Sequence, residues 1–202
     1  MLPRLHVITD DATLAAPDFI ARARALLDAC GSQVALHLRG RATPARQLYE
    51  LGALLVDEET PLFINDRVDL ALALGADGIQ LRADSIPVPA ARALLPDALI
   101  GYSAHTAAEC VDAAGQGADF VLAGTIFRSQ SHPEGAPQGP AFLAQIAGRA
   151  ALPVIAIGGI DAGNAAECQR AGAYGVAAIR AVWHASDATA AAQRILAALQ
   201  QE

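Results

Sequence analysis

Short runs rich in Val, Ile and Leu alternate along the chain with longer, alanine-rich amphipathic runs. The short runs have the length and β-branched content of buried strands. The longer ones repeat apolar residues at helical spacing. Strands are expected at 4–9, 33–39, 61–64, 78–81, 98–102, 119–123, 153–157 and 174–179, with helices at 17–29, 44–57, 66–74, 87–95, 106–116, 140–149, 162–171 and 186–200. Thr43 before Pro44 reads as an N-cap followed by proline at the first helical position. Thr106 with Glu109 three residues on reads as a capping box. Gly31, Gly75, Gly117 and Gly172 stand where helices end in left-handed backbone.

Three junctions, at 74–77, 116–119 and 171–174, place Gly-Ala between a helix end and the next strand. This weak repeat suggests similar βα units around a closed sheet. Eight strands, each followed by a helix, predict one α/β domain over 1–202, a single (β/α)8 TIM barrel. An open, doubly wound sheet is the alternative. No GxGxxG follows the first strand, which disfavours a dinucleotide site.

Composition narrows the function. The chain is 53% hydrophobic and 17% charged over 202 residues, too apolar for disorder and long enough for one sizeable core. No uncharged apolar run reaches the roughly 18 residues of a membrane helix, so no membrane partner is expected. The N-terminus reads as a first strand rather than a signal peptide. All 14 basic residues are arginine. That excludes a lysine Schiff base and a Walker A loop. Net charge is −7 with the arginines scattered, so nucleic acid is not an expected partner. Cys30, Cys110 and Cys168 form no CxxC pair. They read as small core residues of a protein from the reducing cytoplasm.

In such a barrel, chemistry sits where strands end and βα loops begin. Gly158 and Gly159 follow the seventh strand, and Ile179 and Arg180 end the eighth. Loops seven and eight are the usual phosphate site of the fold, although a plain tight turn also explains the glycines. Arg39 and Arg41 alternate after the second strand, so both can face the mouth and hold an anion. Asn65 and Asp66 follow the third strand and Asp84 the fourth. These carboxylates suit Mg²⁺; otherwise Asp66 caps a helix and Asp84 lies in a turn. Ser103 and Thr125 end the fifth and sixth strands. His105 is a general acid/base or an orienter of its own loop. His132 lies in the Gly- and Pro-rich loop 129–139, a lid over a ligand or an exposed loop without a role. His37 is a mid-strand candidate for the barrel interior. His6 belongs to a strand remote from the mouth, and His184 is expected at the surface.

Six segments resemble the motifs of thiamine phosphate synthase and its paralogue TenI, in family order across essentially the whole chain. They are LHVITD at 5–10, LHLRGR at 36–41, NDRVDLA at 65–71, SAHT at 103–106, GTIF at 124–127 and AIGGI at 156–160. The resemblance implies a (β/α)8 barrel that binds thiazole phosphate. In the synthase it implies also a pyrimidine diphosphate with Mg²⁺, the two being joined with release of diphosphate. Arg39 matches the family arginine, Arg41 stands for a lysine and His37 for a glutamine. Asn65, Asp66 and Ser103 are kept. Ser85 replaces a second metal aspartate, and Arg82 replaces a glycine. Ser129 and Ser131 stand for threonines, His132 for a diphosphate-binding lysine, and Arg180 for a serine. The catalytic histidine of TenI falls on Thr125, and threonine is no proton shuttle near pH 7.

These departures weaken the diphosphate half more than the thiazole half. The leading expectation is therefore a TenI-like protein of thiamine biosynthesis that binds thiazole phosphate, with tautomerase chemistry carried by His105 or His132. The alternative is thiamine phosphate synthase. A second alternative is a non-catalytic binder of a phosphate ligand. No cofactor is expected except Mg²⁺ under the synthase reading. The expected partner is a small phosphorylated molecule, with homo-oligomerisation left open.

Overall fold

Eight strands pair in parallel, in chain order, and close on themselves. They are β1 (Leu5–Ile8), β2 (Val34–Leu38), β3 (Leu62–Asn65), β4 (Gly78–Leu81), β5 (Leu99–Ala104), β6 (Phe120–Gly124), β7 (Val154–Ile157) and β8 (Gly175–Ala178). β8 returns to β1 with Val176 opposite Leu5, so the sheet has no edge. The computed structural model describes residues 1–56, 60–129 and 136–200. Around the barrel lie α1 (Asp11–Leu14), α2 (Phe19–Cys30), α3 (Ala45–Ala53), α4 (Val68–Leu74), α5 (Val88–Leu94), α6 (Ala107–Gly115), α7 (Gly139–Ala147), α8 (Ala165–Arg170), α9 (Arg180–Trp183) and α10 (Ala188–Ala198).

The expected (β/α)8 barrel is the fold, and the strands fall where the apolar runs place them. Strands such as β1 and β2 are buried throughout, as a parallel sheet covered on both faces requires. Period two divides their side chains between two layers. Ile8, Ala35, Phe63, Phe120, Leu122 and Ile155 cluster in the barrel interior. Their neighbours Val7, Leu36, Ile64, Val121 and Ala156 join the layer beneath the helices. Glycines make the interior fit. A Cβ at Gly78 would run into the Phe63 ring, and one at Gly101 into Phe120 and Gln80. Cys30, Cys110 and Cys168 are free and buried in the outer layer.

Local signals differ in places. α1 and α9, each of four residues, are too short to show a period and were not expected. Thr43 does not cap α3. Its hydroxyl donates to Asp11 Oδ1 at 2.7 Å, and Pro44 holds the cap position without a side-chain bond. Thr106 does cap α6, accepting from Glu109 N–H at 3.2 Å. The Glu109 carboxylate reaches one residue further back than a capping box requires, to His105 N–H at 2.5 Å. Among the described residues no helix is long and apolar enough to cross a membrane.

Candidate functional site

The C-terminal ends of the strands surround a cavity of about 700 Å³. Arg39, Arg41, Asn65, Ser103, His105, Thr125, Ser129, Gly158, Gly159, Ile179 and Arg180 all line it. Asp66 reaches the lining through its contact with Arg82. Ser131 and His132 lie outside the described residues. Arg128, at the start of the loop after the sixth strand, also lines the cavity, as does Asp161, which escaped the sequence reading. The signal for Asp161 was position, since it follows the strand-end motif on loop seven.

Loops after β1 hold the arginine wall in place. The Asp11 carboxylate accepts the backbone N–H groups of Arg41 (3.1 Å), Ala42 (2.9 Å) and Thr43 (2.8 Å). Burial alone would raise the Asp11 pKa. The Thr43 hydroxyl and these N–H groups outweigh it and hold the carboxyl below its ordinary value. Thr9 Oγ1 accepts Arg39 N–H at 2.9 Å and donates to the Arg39 carbonyl at 3.1 Å. Arg39 is lowered in basicity, first by burial, then by the charges of Arg41 and Arg82, against the pull of Asp66 and Asp11.

Across the mouth the lining is backbone. Gly158 and Gly159 have φ of +104° and +64°, left-handed values that a side chain disfavours. A Cβ at Gly158 would come within 2.5 Å of Thr125 Cγ2, and one at Gly159 would run into the Arg128 carbonyl. Asn164 Nδ2 donates to the Gly159 carbonyl at 2.9 Å and fixes the turn. α9 begins at Arg180, and its first N–H groups have no acceptor within the helix. Such a concave run of backbone suits a phosphate.

A polar thread runs through the barrel beneath Asn65. His6 Nε2 lies 3.2 Å from the Pro3 carbonyl, His6 Nδ1 lies 2.8 Å from His37 Nε2, and His37 Nδ1 lies 3.3 Å from the Asn65 amide. Burial holds both rings below their usual pKa, His6 at about 3, so both are neutral. A carbonyl only accepts. Hence His6 Nε2–H donates to Pro3, His6 Nδ1 accepts from His37 Nε2–H, and His37 Nδ1 is left as an acceptor. The structure sets Asn65 Oδ1 toward His37 Nδ1, one acceptor facing another, so the amide is taken in its flipped sense, with its NH₂ toward His37. Its carbonyl oxygen is the end left for the cavity. His37 thus lies in the interior as expected, stacked on Phe63 at 4.7 Å. His6 lies beside it.

His105 Nδ1–H donates to the Gly124 carbonyl at 2.8 Å, which ties the ring to the end of β6. That bond is what the loop-orienting reading requires. Nε2 remains as an acceptor.

A closed (β/α)8 barrel whose mouth opposes an arginine wall to a glycine-lined cradle is suited to small phosphorylated ligands. A family model described as thiamine monophosphate synthase matches residues 5–182. Thiamine-phosphate synthase of Chloroflexus aurantiacus is 38% identical over 201 residues, covering 96% of this chain and 91% of the relative. That of Moorella thermoacetica is 41% identical over 171 residues, covering 82% and 81%. The solved thiamine phosphate pyrophosphorylase from Pyrococcus furiosus matches with a TM-score of 0.85 at 33% identity, over 98% of this chain and 96% of that one. The chain belongs to the thiamine monophosphate synthase family. These relatives carry the synthase name, which reverses the order expected from the sequence and leaves the preference for TenI without support.

The synthase resemblance implies Mg²⁺, and the donors present do not fit it. Asp66 Oδ2 accepts Arg82 Nε–H at 2.9 Å, and Oδ1 accepts the Ser85 hydroxyl at 2.6 Å. Asp84 faces Arg82 Nη2 at 3.4 Å and is mostly exposed. Mg²⁺ requires hard oxygens in near-octahedral array at about 2.0–2.1 Å. A guanidinium on the same carboxylate repels a dication. Among the described residues no three His, Cys, Asp or Glu side chains are grouped to hold a metal.

Proposed function

We propose that this chain is a transferase of the thiamine-phosphate synthase type, joining hydroxymethylpyrimidine diphosphate to thiazole phosphate with release of diphosphate. One observation carries the reading: a single cavity has two poles suited to anions, arginine side chains on one wall and glycine backbone on the other. A reaction between a diphosphate and a monophosphate needs both. The thiazole ring nitrogen supplies the electron pair for the new bond to the pyrimidine methylene as the bond to diphosphate breaks. That nitrogen carries no proton, so the step needs no base where Thr125 stands. Tautomerisation would need one, and the His105 ring is tied to Gly124 by one nitrogen.

The occupied Asp66 favours a second reading, a phosphate-ligand binder that performs no transfer. Incubating the protein with both substrates and measuring thiamine phosphate, with Mg²⁺ and with chelator, separates the two. Product above background supports the transferase. No product, with thiazole phosphate still bound in calorimetry, supports the binder. A parallel absorbance assay with the carboxythiazole phosphate tests the tautomerase.

A further inference from the structure

Asp66, Arg82 and Ser85 form a closed set. Arg82 N–H donates to Ser85 Oγ at 2.9 Å, Ser85 Oγ donates to Asp66 Oδ1, and Arg82 Nε–H donates to Asp66 Oδ2. Asp66 adopts a left-handed φ of +63° that turns it into this position. Each carboxylate oxygen has a donor, so neither is presented bare to a cation. Arg82 spends Nε on the pair and keeps 41% of its side chain exposed at the cavity. Nη2 also faces the exposed Asp84 carboxylate at 3.4 Å, and the remaining Nη hydrogens are the donors left for phosphate oxygens. Arg39 stands close enough to Arg41 and Arg82 to feel both charges. Guanidiniums crowded in this way repel one another, and an anion between them relieves the repulsion.

We propose that Arg82, anchored on Asp66 and Ser85, supplies the positive charge that a divalent cation would otherwise bring, so that a diphosphate group binds at this wall without metal. The ligand class rests on the transferase reading above. The binding mode rests on the contacts alone. Asp66 already holds Nε of Arg82, and a held guanidinium loses less freedom when a second anion arrives.

The test is calorimetric titration of the full chain with inorganic diphosphate in excess EDTA. Saturable binding is expected in chelator. Arg82→Gly should weaken it about tenfold to a hundredfold, the range for one lost charge-assisted contact. Arg82→Gln keeps the stem and should lose nearly as much, which separates charge from packing. Arg82→Gly combined with Ser85→Asp should bind Mn²⁺, read directly by its paramagnetic resonance, and should bind diphosphate only with the metal. The proposal is overturned if the unaltered chain binds diphosphate only when Mg²⁺ is added, or if the folded Arg82→Gly and Arg82→Gln proteins bind it as the unaltered chain does. Metal-free binding without product would overturn the transferase reading and leave this one standing. Product formed only with Mg²⁺, together with no binding in chelator, would do the reverse.

Discussion

The two sides of the mouth are made of different material. Beside β7 and β8 the lining is backbone, shaped by positive φ at Gly158 and Gly159 and by the start of α9. Beside β2, β3 and β4 it is side chain: Arg39, Arg41 and Arg82, with Asn65 held from below by His37. A backbone cradle depends on what is missing, the Cβ atoms. A side-chain wall depends on who is bonded to whom. The first tolerates loss of a nearby charge and fails on gain of a methyl. The second behaves in the opposite way.

Gly159→Val should have the largest effect. The new side chain meets the Arg128 carbonyl, and its φ of +64° is strained for a β-branched residue. Binding of thiazole phosphate should fall by more than about a hundredfold, as blocking the backbone approach removes several contacts at once. Diphosphate binding at the arginine wall should survive in the same calorimeter. Loss of both at equal strength would break the distinction between the two sides.

Acid should strike next, and only beneath the side-chain wall. In the unfolded chain each buried histidine has a pKa near 6.5; in the fold His6 lies at about 3 and His37 well below its usual value. The groups facing the pair are the Pro3 carbonyl, the Asn65 amide and the Phe63 and Phe120 rings, none of which titrates. Below pH 6.5 the unfolded state binds more protons. Stability is therefore complete above that value and falls as pH drops. Between about pH 7.5 and about pH 5 His6 should contribute a loss of about 2 kcal/mol, with a further loss in the same direction from His37, read by denaturant unfolding. A flat profile over that window would mean that the rings are not held neutral.

Arg180→Ala should do least. Its side chain is exposed, and the cradle beside it is backbone. Thiazole phosphate affinity should change by no more than about fivefold, the scale of a screened surface charge. A change above about fiftyfold would move that side into the side-chain class. The sharpest check needs no variant. ¹⁵N shifts of the ring nitrogens should show both His6 and His37 protonated on Nε2 and bare on Nδ1. A proton on His37 Nδ1 would reverse the orientation assigned to Asn65.

The sequence made the backbone side legible and the side-chain side only in part. Glycines after a seventh apolar run mark a phosphate cradle or a tight turn, and the strand period locates the run itself. Arg39 and Arg41 also follow from alternation. The Arg82–Asp66–Ser85 set does not. It joins loops of two strands through a left-handed aspartate, and no local spacing reports that closure. Arg82 read as the replacement of a glycine, and Asp66 as a metal ligand or a helix cap, because their partners were missing from view. His6 was set aside for distance from the mouth, yet it acts on the mouth through His37. Its partner lies on the neighbouring strand, 31 residues away. Thr43 misled for a similar reason: Asp11, at the start of α1, competes for its hydroxyl.

The three cysteines sit on α2, α6 and α8, each turned toward the sheet from a different sector of the outer layer. Burial raises the Cys110 and Cys168 thiols to about 11 and about 12, and raises that of Cys30 as well. At neutral pH an alkylating reagent therefore finds almost no thiolate until the helix above it lifts. The chain carries its own set of opening reporters, one per sector. The order in which the three sulfurs become labelled would rank the local stability of the barrel's outer ring without any introduced probe.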